Sequence, residues 1–268
     1  MATLLNCVNM ARSSFYYHLK QESTDKYKDV KKLIECIYHK HKGRLGYRRI
    51  TILLRQNGFK INHKTVLKLM SSLKLKSIIR RKKYKSYKGE QGKLAPNILD
   101  RRFKAKRPNQ KWTTDVTEFN VLGKKLYLSP VLDLYNQEII SYELSERADF
   151  KSVMQMLGKA LKKKNKPTSL LMHSDQGWQY QMRQYQSVLK ENGIKQSMSR
   201  RGNCLDNAVM ENFFGTIKSE LFYLKKYESI DQLKKEIKEY IKYYNSDRIK
   251  LNLNGMSPIQ YRAHHFKT

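Results

Sequence analysis

The sequence predicts an α/β protein built on one mixed central sheet and preceded by a small all-α unit. Three observations lead there. Residues 29–73 place apolar side chains at helical spacing. From Lys111 onward the texture changes to aromatic, Thr and Val residues typical of strands. Past Asp149, helical and strand patterns alternate, as they do where helices cover a sheet.

The first segment, residues 1–28, contains one short helical stretch around Ala11–Leu19. Residues 29–73 then read as three helices. Val30, Leu33, Ile34 and Ile37 form one buried stripe, and Tyr47, Ile50, Leu53 and Leu54 form a second. Gly43 and Gly46 bracket the turn between them, and Gly58 stops the second helix. Asn62 is a good N-cap for the third helix, whose apolar face is Val66, Leu69, Met70 and Leu73. That leaves His63, Lys64 and Lys68 pointing outward. A helix, a four-residue turn and a basic outward helix is the arrangement that enters a major groove. A small three-helix bundle with a solvated basic face has the same pattern, and the surrounding charge favours DNA.

Residues 74–107 read as a basic linker. Between 74 and 110 there are 14 basic and 2 acidic side chains, including Arg80, Arg81, Lys82 and Lys83. Like charges at this density resist packing, so a phosphate-tracking segment is expected. Residues 108–226 form the α/β core. Trp112–Phe119, Lys125–Leu134 and Glu138–Leu144 are expected strands, followed by a helix capped by Asp149. A strand at Ser169–His173, a helix at Met182–Lys190, a strand near Ile194–Met198 and a long helix from Asp206 to Tyr223 complete it. Residues 227–268 form a helical extension, with Leu233, Ile237, Tyr240, Ile241 and Tyr244 on one side of its helix.

Composition narrows the partners. The 55 Lys+Arg against 23 Asp+Glu give a net charge of +32, an excess that calls for a polyanion. Residues 1–110 hold 29 of those basic and 6 of the acidic side chains, so the amino-terminal part is the main electrostatic handle. No apolar run approaches the roughly 18 residues a bilayer-spanning helix needs, and no signal-peptide pattern opens the chain. Three scattered cysteines, Cys7, Cys36 and Cys204, offer no zinc or disulfide spacing and fit a reducing cytoplasm.

The remaining carboxylates need individual reasons. Asp115 sits mid-strand, where a charge is costly unless a partner or metal compensates it. Asp175 lies at a strand end, where open α/β sheets place ligands. Glu211 lies on the long helix, and Lys218, seven residues on, shares its face. Three carboxylates converging there could hold two Mg²⁺ roughly 3.5–4 Å apart, with Mn²⁺ able to substitute. The residues alone leave rivals: Asp133 as a turn residue, Asp149 and Asp206 as caps, and Glu118 as a solvated strand position. His173 reads as a packed strand-end residue.

The motifs add a resemblance. Pro108-Asn109-Gln110-Lys111-Trp112-Thr113-Thr114-Asp115, His173-Ser174-Asp175-Gln176-Gly177 with Tyr180, and Ser197 to Cys204 run in that order. Asp206-Asn207-Ala208, Glu211-Asn212-Phe213-Phe214, Lys218-Ser219-Glu220, Tyr244-Asn245, Arg248 and Ser257-Pro258 follow. This set, with 35 residues between Asp175 and Glu211, resembles the OrfB-type transposases of the bacterial IS-three insertion-sequence family, relatives of retroviral integrases. Gly46-Tyr47-Arg48-Arg49-Ile50 is similar to the helix-turn-helix that precedes their core. The resemblance implies an RNase H-like fold that nicks the 3′ ends of an insertion element and joins them to target DNA. It implies Asp115, Asp175 and Glu211 as metal ligands and catalytic residues. Lys218 would contact the element's terminal DNA, and Arg48, Arg49, His63, Lys64, Lys68, Arg80, Arg81, Lys82 and Lys83 are further expected DNA contacts.

It also implies double-stranded DNA partners (terminal inverted repeats and target), a homo-oligomer on DNA, and a place in the bacterial cytoplasm with the nucleoid. An upstream OrfA-type helix-turn-helix and leucine-zipper protein is an expected partner, since no heptads open this chain. Relatives often carry His where this chain has Lys250. Two other classes compete with a transposase. A non-catalytic DNA-binding regulator from a stranded reading frame would bind without nicking. A structure-selective nuclease would hydrolyse without joining.

Overall fold

The computed structural model describes Leu5, Cys7 and residues 10–22, 25–79, 95–163, 169–200 and 204–266. The chain divides into two compact units, Met1–Ser77 and Ile78–Thr268. Among the described residues no helix is long and apolar enough to cross a membrane.

In the first unit, α1 (Arg12–Glu22) precedes α2 (Lys28–Lys40), α3 (Tyr47–Gln56) and α4 (His63–Ser72). The last three bury the expected stripes: Ile34, Ile50, Leu54 and Val66 are fully covered. Gly58, at φ +87°, ends α3, where its N–H reaches Arg55 O and the Phe59 N–H reaches Leu54 O. This is the pair of bonds that closes a helix through a left-handed residue. The closure uses Asn57 to Phe59, so the connection to α4 runs over residues 57–62 rather than the expected four. The Asn62 side chain caps α4 by accepting from Lys64 N at 2.8 Å, as expected.

The second unit holds strands β1 (Lys111–Thr114), β2 (Thr117–Val121), β3 (Lys124–Asp133), β4 (Ile139–Ser145), β5 (Leu171–Ser174) and β6 (Lys195–Met198). The sheet order is β2-β3-β1-β5-β6, with β4 on the far side of β3. Strands β1 to β4 pair antiparallel, whereas β1-β5 and β5-β6 are parallel, making the sheet mixed as expected. The expected strand Trp112–Phe119 is interrupted. Thr114 pairs with Val131 and Thr117 with Leu128, so β1 and β2 share one register along β3 and the gap faces Ser129 and Pro130. Pro130 has no N–H to donate, and the ladder opens there. Asp115 consequently sits at a strand end, not mid-strand. Beyond it, Leu122 and Gly123 both adopt positive φ (51° and 80°), the two-residue hairpin turn whose twist matches its strands.

Helices cover both faces. On one, α8 (Ala208–Glu220) and α9 (Ile230–Ser246) pack Phe213, Ile217, Ile237 and Tyr244 against Phe119, Leu126, Leu128 and Leu132. On the other, α5 (Phe150–Lys162) and α7 (Arg183–Glu191) pack Met156, Leu157, Tyr185 and Leu189 against Trp112, Val131 and Met172. The long helix expected from Asp206 to Tyr223 is α8 flanked by 3₁₀ turns at Cys204–Asn207 and Phe222–Leu224. Two short helices, α6 (Trp178–Gln181) and α10 (Pro258–His265), were not expected.

Arg80, Arg81, Lys82 and Lys83 lie outside the described residues. Residues 84–94 lie outside them too, and the described part that follows, residues 95–107, does pack. The N–H groups of Ile98 and Leu99 donate to Ser197 Oγ at 2.9 and 3.0 Å, and Leu99 is buried with Phe103 and Ala105 beside it. Apolar residues interleaved with the charges give this strap a face to bury, which a count of charge does not register.

Candidate active site

The parallel pairing of β1 with β5 sets the geometry. Trp112 pairs with Met172 and Thr113 with His173, and the same offset carries Asp115 to Asp175. Two parallel strands therefore end side by side, each followed by a carboxylate. Both are half-buried. Asp115 Oδ1 accepts from Val116 N at 2.7 Å and its Oδ2 from Asn207 Nδ2 at 3.2 Å. Asp175 Oδ1 accepts from Gly177 N at 2.9 Å.

Electrostatics ties Glu211 to this pair. Burial first, and then the charges of Asp175 and Glu211, push the Asp115 carboxyl well above the usual range. Burial also raises Asp175 and Glu211. Tyr180 is fully buried on α6, with its hydroxyl 3.4 Å from Thr114 Oγ1, and burial followed by Asp115 and Asp175 keeps it protonated.

Such a set is short of positive charge. Among the described residues, no three His, Cys, Asp or Glu side chains already stand at chelating distance. Asp115 and Asp175 turn their oxygens to nearby N–H donors. Oxygen-only, desolvated and mutually repelling carboxylates fit a hard divalent cation such as Mg²⁺. Lys218 is a nearby cation. Its ammonium lies 5.5 Å over the Phe119 ring, and burial lowers its pKa against the pull of Glu118 and Asp115.

The rival acids find other work. Asp133 is fully buried, accepts from Asn109 N and Tyr135 N, and meets Arg262 at 3.4 Å. Asp149 caps α5 through Ser152 N, and Glu118 pairs with Lys125 in solvent. Asp206 is not a helix cap. It is fully buried and gathers Arg200, Arg101 and Asn97, and Arg200 above all holds its carboxyl far below the usual range. His173 is packed between Ser197 Oγ (2.9 Å) and Ser199 Oγ (3.2 Å), and burial lowers its pKa to about 4. In the first unit, Arg48, His63, Lys64 and Lys68 are exposed, and Arg49 is half-buried.

Comparison with known proteins follows this division of the chain. Residues 105–204 and 211–266 match two models described as an integrase core domain, and residues 26–83 match an HTH-like domain. The putative transposase InsK for insertion sequence element IS150 of Escherichia coli (strain K12) is 60% identical over 260 residues, 97% of this chain and 92% of its own. Transposase InsF for insertion sequence IS3A of the same organism is 32% identical over 231 residues, 85% of this chain and 80% of its own. The chain belongs to the transposases of the IS-three insertion-sequence family. A simian T-cell lymphotropic virus intasome chain, solved by cryo-electron microscopy with PP2A regulatory subunit B56 gamma, shares the fold. It matches at 13% identity and a TM-score of 0.50, over 86% of this chain and 74% of that one. The transposase core is thus RNase H-like, as expected.

Several motif residues of this transposase prove to be structural. Asn245 pairs with Ile139 through both amide atoms at 3.0 Å, standing in for a strand beside β4. Arg248 makes a buried two-point ion pair with Glu220 at 2.6 and 2.8 Å, and Tyr240 donates to the same carboxylate. Lys250 bonds Gln137 Oε1 at 2.8 Å and sits 4.3 Å from the Tyr244 ring centre. Sequence reasoning missed Asn207. Its place in the Asp206-Asn207-Ala208 motif, four residues before Glu211, was the available signal.

Proposed function

We propose that this transposase catalyses metal-dependent 3′-end cleavage at the terminal inverted repeats of its element and transfers those ends to target DNA. The observation that carries the proposal is the pair Asp115 and Asp175 at adjoining strand ends, with Asn207, on the turn that leads into the Glu211 helix, donating to Asp115. These three side chains would hold two Mg²⁺, with Mn²⁺ able to substitute. Bound there, such ions lower the pKa of an attacking hydroxyl and stabilise the attacking and leaving oxygens at phosphorus. Lys218, beside the site, would hold a phosphate of the terminal DNA. The neutral Tyr180 beneath adds no charge that would compete with the ions. No protein side chain needs to become bonded to DNA, since water and then a 3′-hydroxyl attack directly.

Residues 29–73 would dock on the element's end through Arg48, Arg49, His63, Lys64 and Lys68. The basic stretch 74–107, with Arg80 to Lys83, would follow phosphates, residues 108–226 perform the chemistry, and 227–268 brace it. Assembly as a homo-oligomer on DNA would bring two ends together, with an OrfA-type protein as the upstream partner and the nucleoid as the place of action.

The experiment is a strand-transfer assay with labelled terminal-repeat duplex and plasmid target, run in Mg²⁺, Mn²⁺ or EDTA. Joined product in both metals and none in EDTA is expected. Binding without any joining in any metal points to a regulator, and hydrolysis without joining to a nuclease. Either outcome overturns the proposal.

A further inference from the structure

Asn207 occupies a position that the carboxylate reading leaves without a role. It is buried, on the 3₁₀ turn that leads into α8. Its carbonyl oxygen accepts from Thr113 Oγ1 at 2.8 Å, and Thr113 is itself buried on β1. The direction of that bond fixes the amide, because the hydroxyl must donate if the nitrogen is to face the other way. The nitrogen does face Asp115, donating to Oδ2 at 3.2 Å. One side chain therefore ties the strand that carries Asp115 to the helix that carries Glu211.

The preceding residue strengthens the tie. Asp206 anchors the 3₁₀ turn to Arg200, Arg101 and Asn97, the last two on the strap of residues 95–107. A turn held by two arginines has little freedom to rotate, so the amide of Asn207 is presented in one orientation. Asp115 has two oxygens and two protein donors, Val116 N and Asn207 Nδ2, and each donor restrains one oxygen. Outer partners of this kind orient metal ligands and typically change affinity by roughly 10–100-fold.

From this we infer that Asn207 is a positioning residue for Asp115, locking its carboxylate to the Glu211 helix through the Thr113–Asn207–Asp115 relay. The inference rests on the reading of Asp115 as a metal ligand. It does not make Asn207 a group that touches DNA or the reacting atoms. The strap's grip on Asp206 then links residues 95–107 to the order of the carboxylate site.

The test is Mn²⁺ binding to the full chain without DNA, followed by the loss of the free-ion electron paramagnetic resonance signal. Asn207→Leu keeps size and removes the donor. It is expected to weaken Mn²⁺ binding roughly tenfold or more, and to lower the melting temperature as well, because the buried Thr113 hydroxyl loses its acceptor. Thr113→Val, which only frees the amide to turn, is expected to weaken binding less. The double variant should be no worse than Asn207→Leu alone, since the two act in one relay. Unchanged Mn²⁺ affinity in Asn207→Leu overturns the inference, as does full additivity of the two effects. Should Asn207→Leu not fold, Thr113→Val decides alone: parental affinity overturns the inference and a weakened one supports it. Asp115→Asn separates the two claims. If it too binds Mn²⁺ like the parent, the carboxylate reading fails; if it loses the ion while Asn207→Leu keeps it, only the Asn207 inference does.

Discussion

Asp206 and Asp115 stand on either side of Asn207, in opposite electrostatic states. Two arginines and an asparagine surround Asp206, so its carboxyl is held far below the usual range. A depressed carboxylate contributes stability above its unfolded pKa and loses it as pH falls through the folded value. Asp206→Asn is therefore expected to cost about 2 kcal/mol at neutral pH, less than a fully buried pair because both arginines are half-exposed. Urea unfolding repeated at falling pH should show that penalty shrinking through the acid range. Lys218 supplies a second prediction at this scale. Lys218→Ala should weaken binding of terminal-repeat DNA and lower the salt slope of log affinity by about 1, measured by fluorescence anisotropy across a salt series. An unchanged slope would mean that its ammonium meets no phosphate.

Elements explain why the sequence was legible in some places and not in others. The stripes of α2 to α4 and of α9 could be read because each buries one face, which fixes the helical spacing. The break between β1 and β2 could not be read from Asp115 itself. Its cause, Pro130, lies on the neighbouring strand, where pairing alone reveals it. Asp206 was misread as a cap because its partners Arg101 and Asn97 are distant in sequence. The helix α10 was legible in principle, since Ser257-Pro258 opens a capping box closed by Gln260. The carboxylates themselves needed the motif spacing, because composition offered several equal candidates. Helices α8 and α9 carry a prediction of their own. Arg248→Met leaves Glu220 buried without its cation and is expected to cost about 3–5 kcal/mol in denaturant unfolding. Glu220→Met with Arg248→Met should recover much of that loss, and a failure to recover would mean the pair does more than brace the two helices.

For the whole molecule the decisive terms are long-range charge and the carboxylate site. Net charge of +32, with most of the excess ahead of residue 111, is expected to make association with DNA steeply salt-dependent. The site acts in the other direction. Asp115, Asp175 and Glu211 all have raised pKa values, so they favour the folded state in acid and lose that contribution as pH climbs through their folded values. Divalent cations should restore it. Mg²⁺ or Mn²⁺ at one hundred times its dissociation constant is expected to add about 2.7 kcal/mol. In thermal melts the gain should be larger at pH 8 than at pH 5. A gain independent of pH would mean that the ions bind elsewhere.

The most direct measurement compares Asp115→Asn with the parent in a Mg²⁺ strand-transfer assay, with terminal-repeat binding measured in parallel. Removing one carboxylate charge while keeping its shape should reduce joining on the order of 100-fold or more and leave DNA binding within about twofold. Asp175→Asn and Glu211→Gln should behave alike. Joining at the parental rate by Asp115→Asn would contradict the assignment of the chemistry to these three carboxylates.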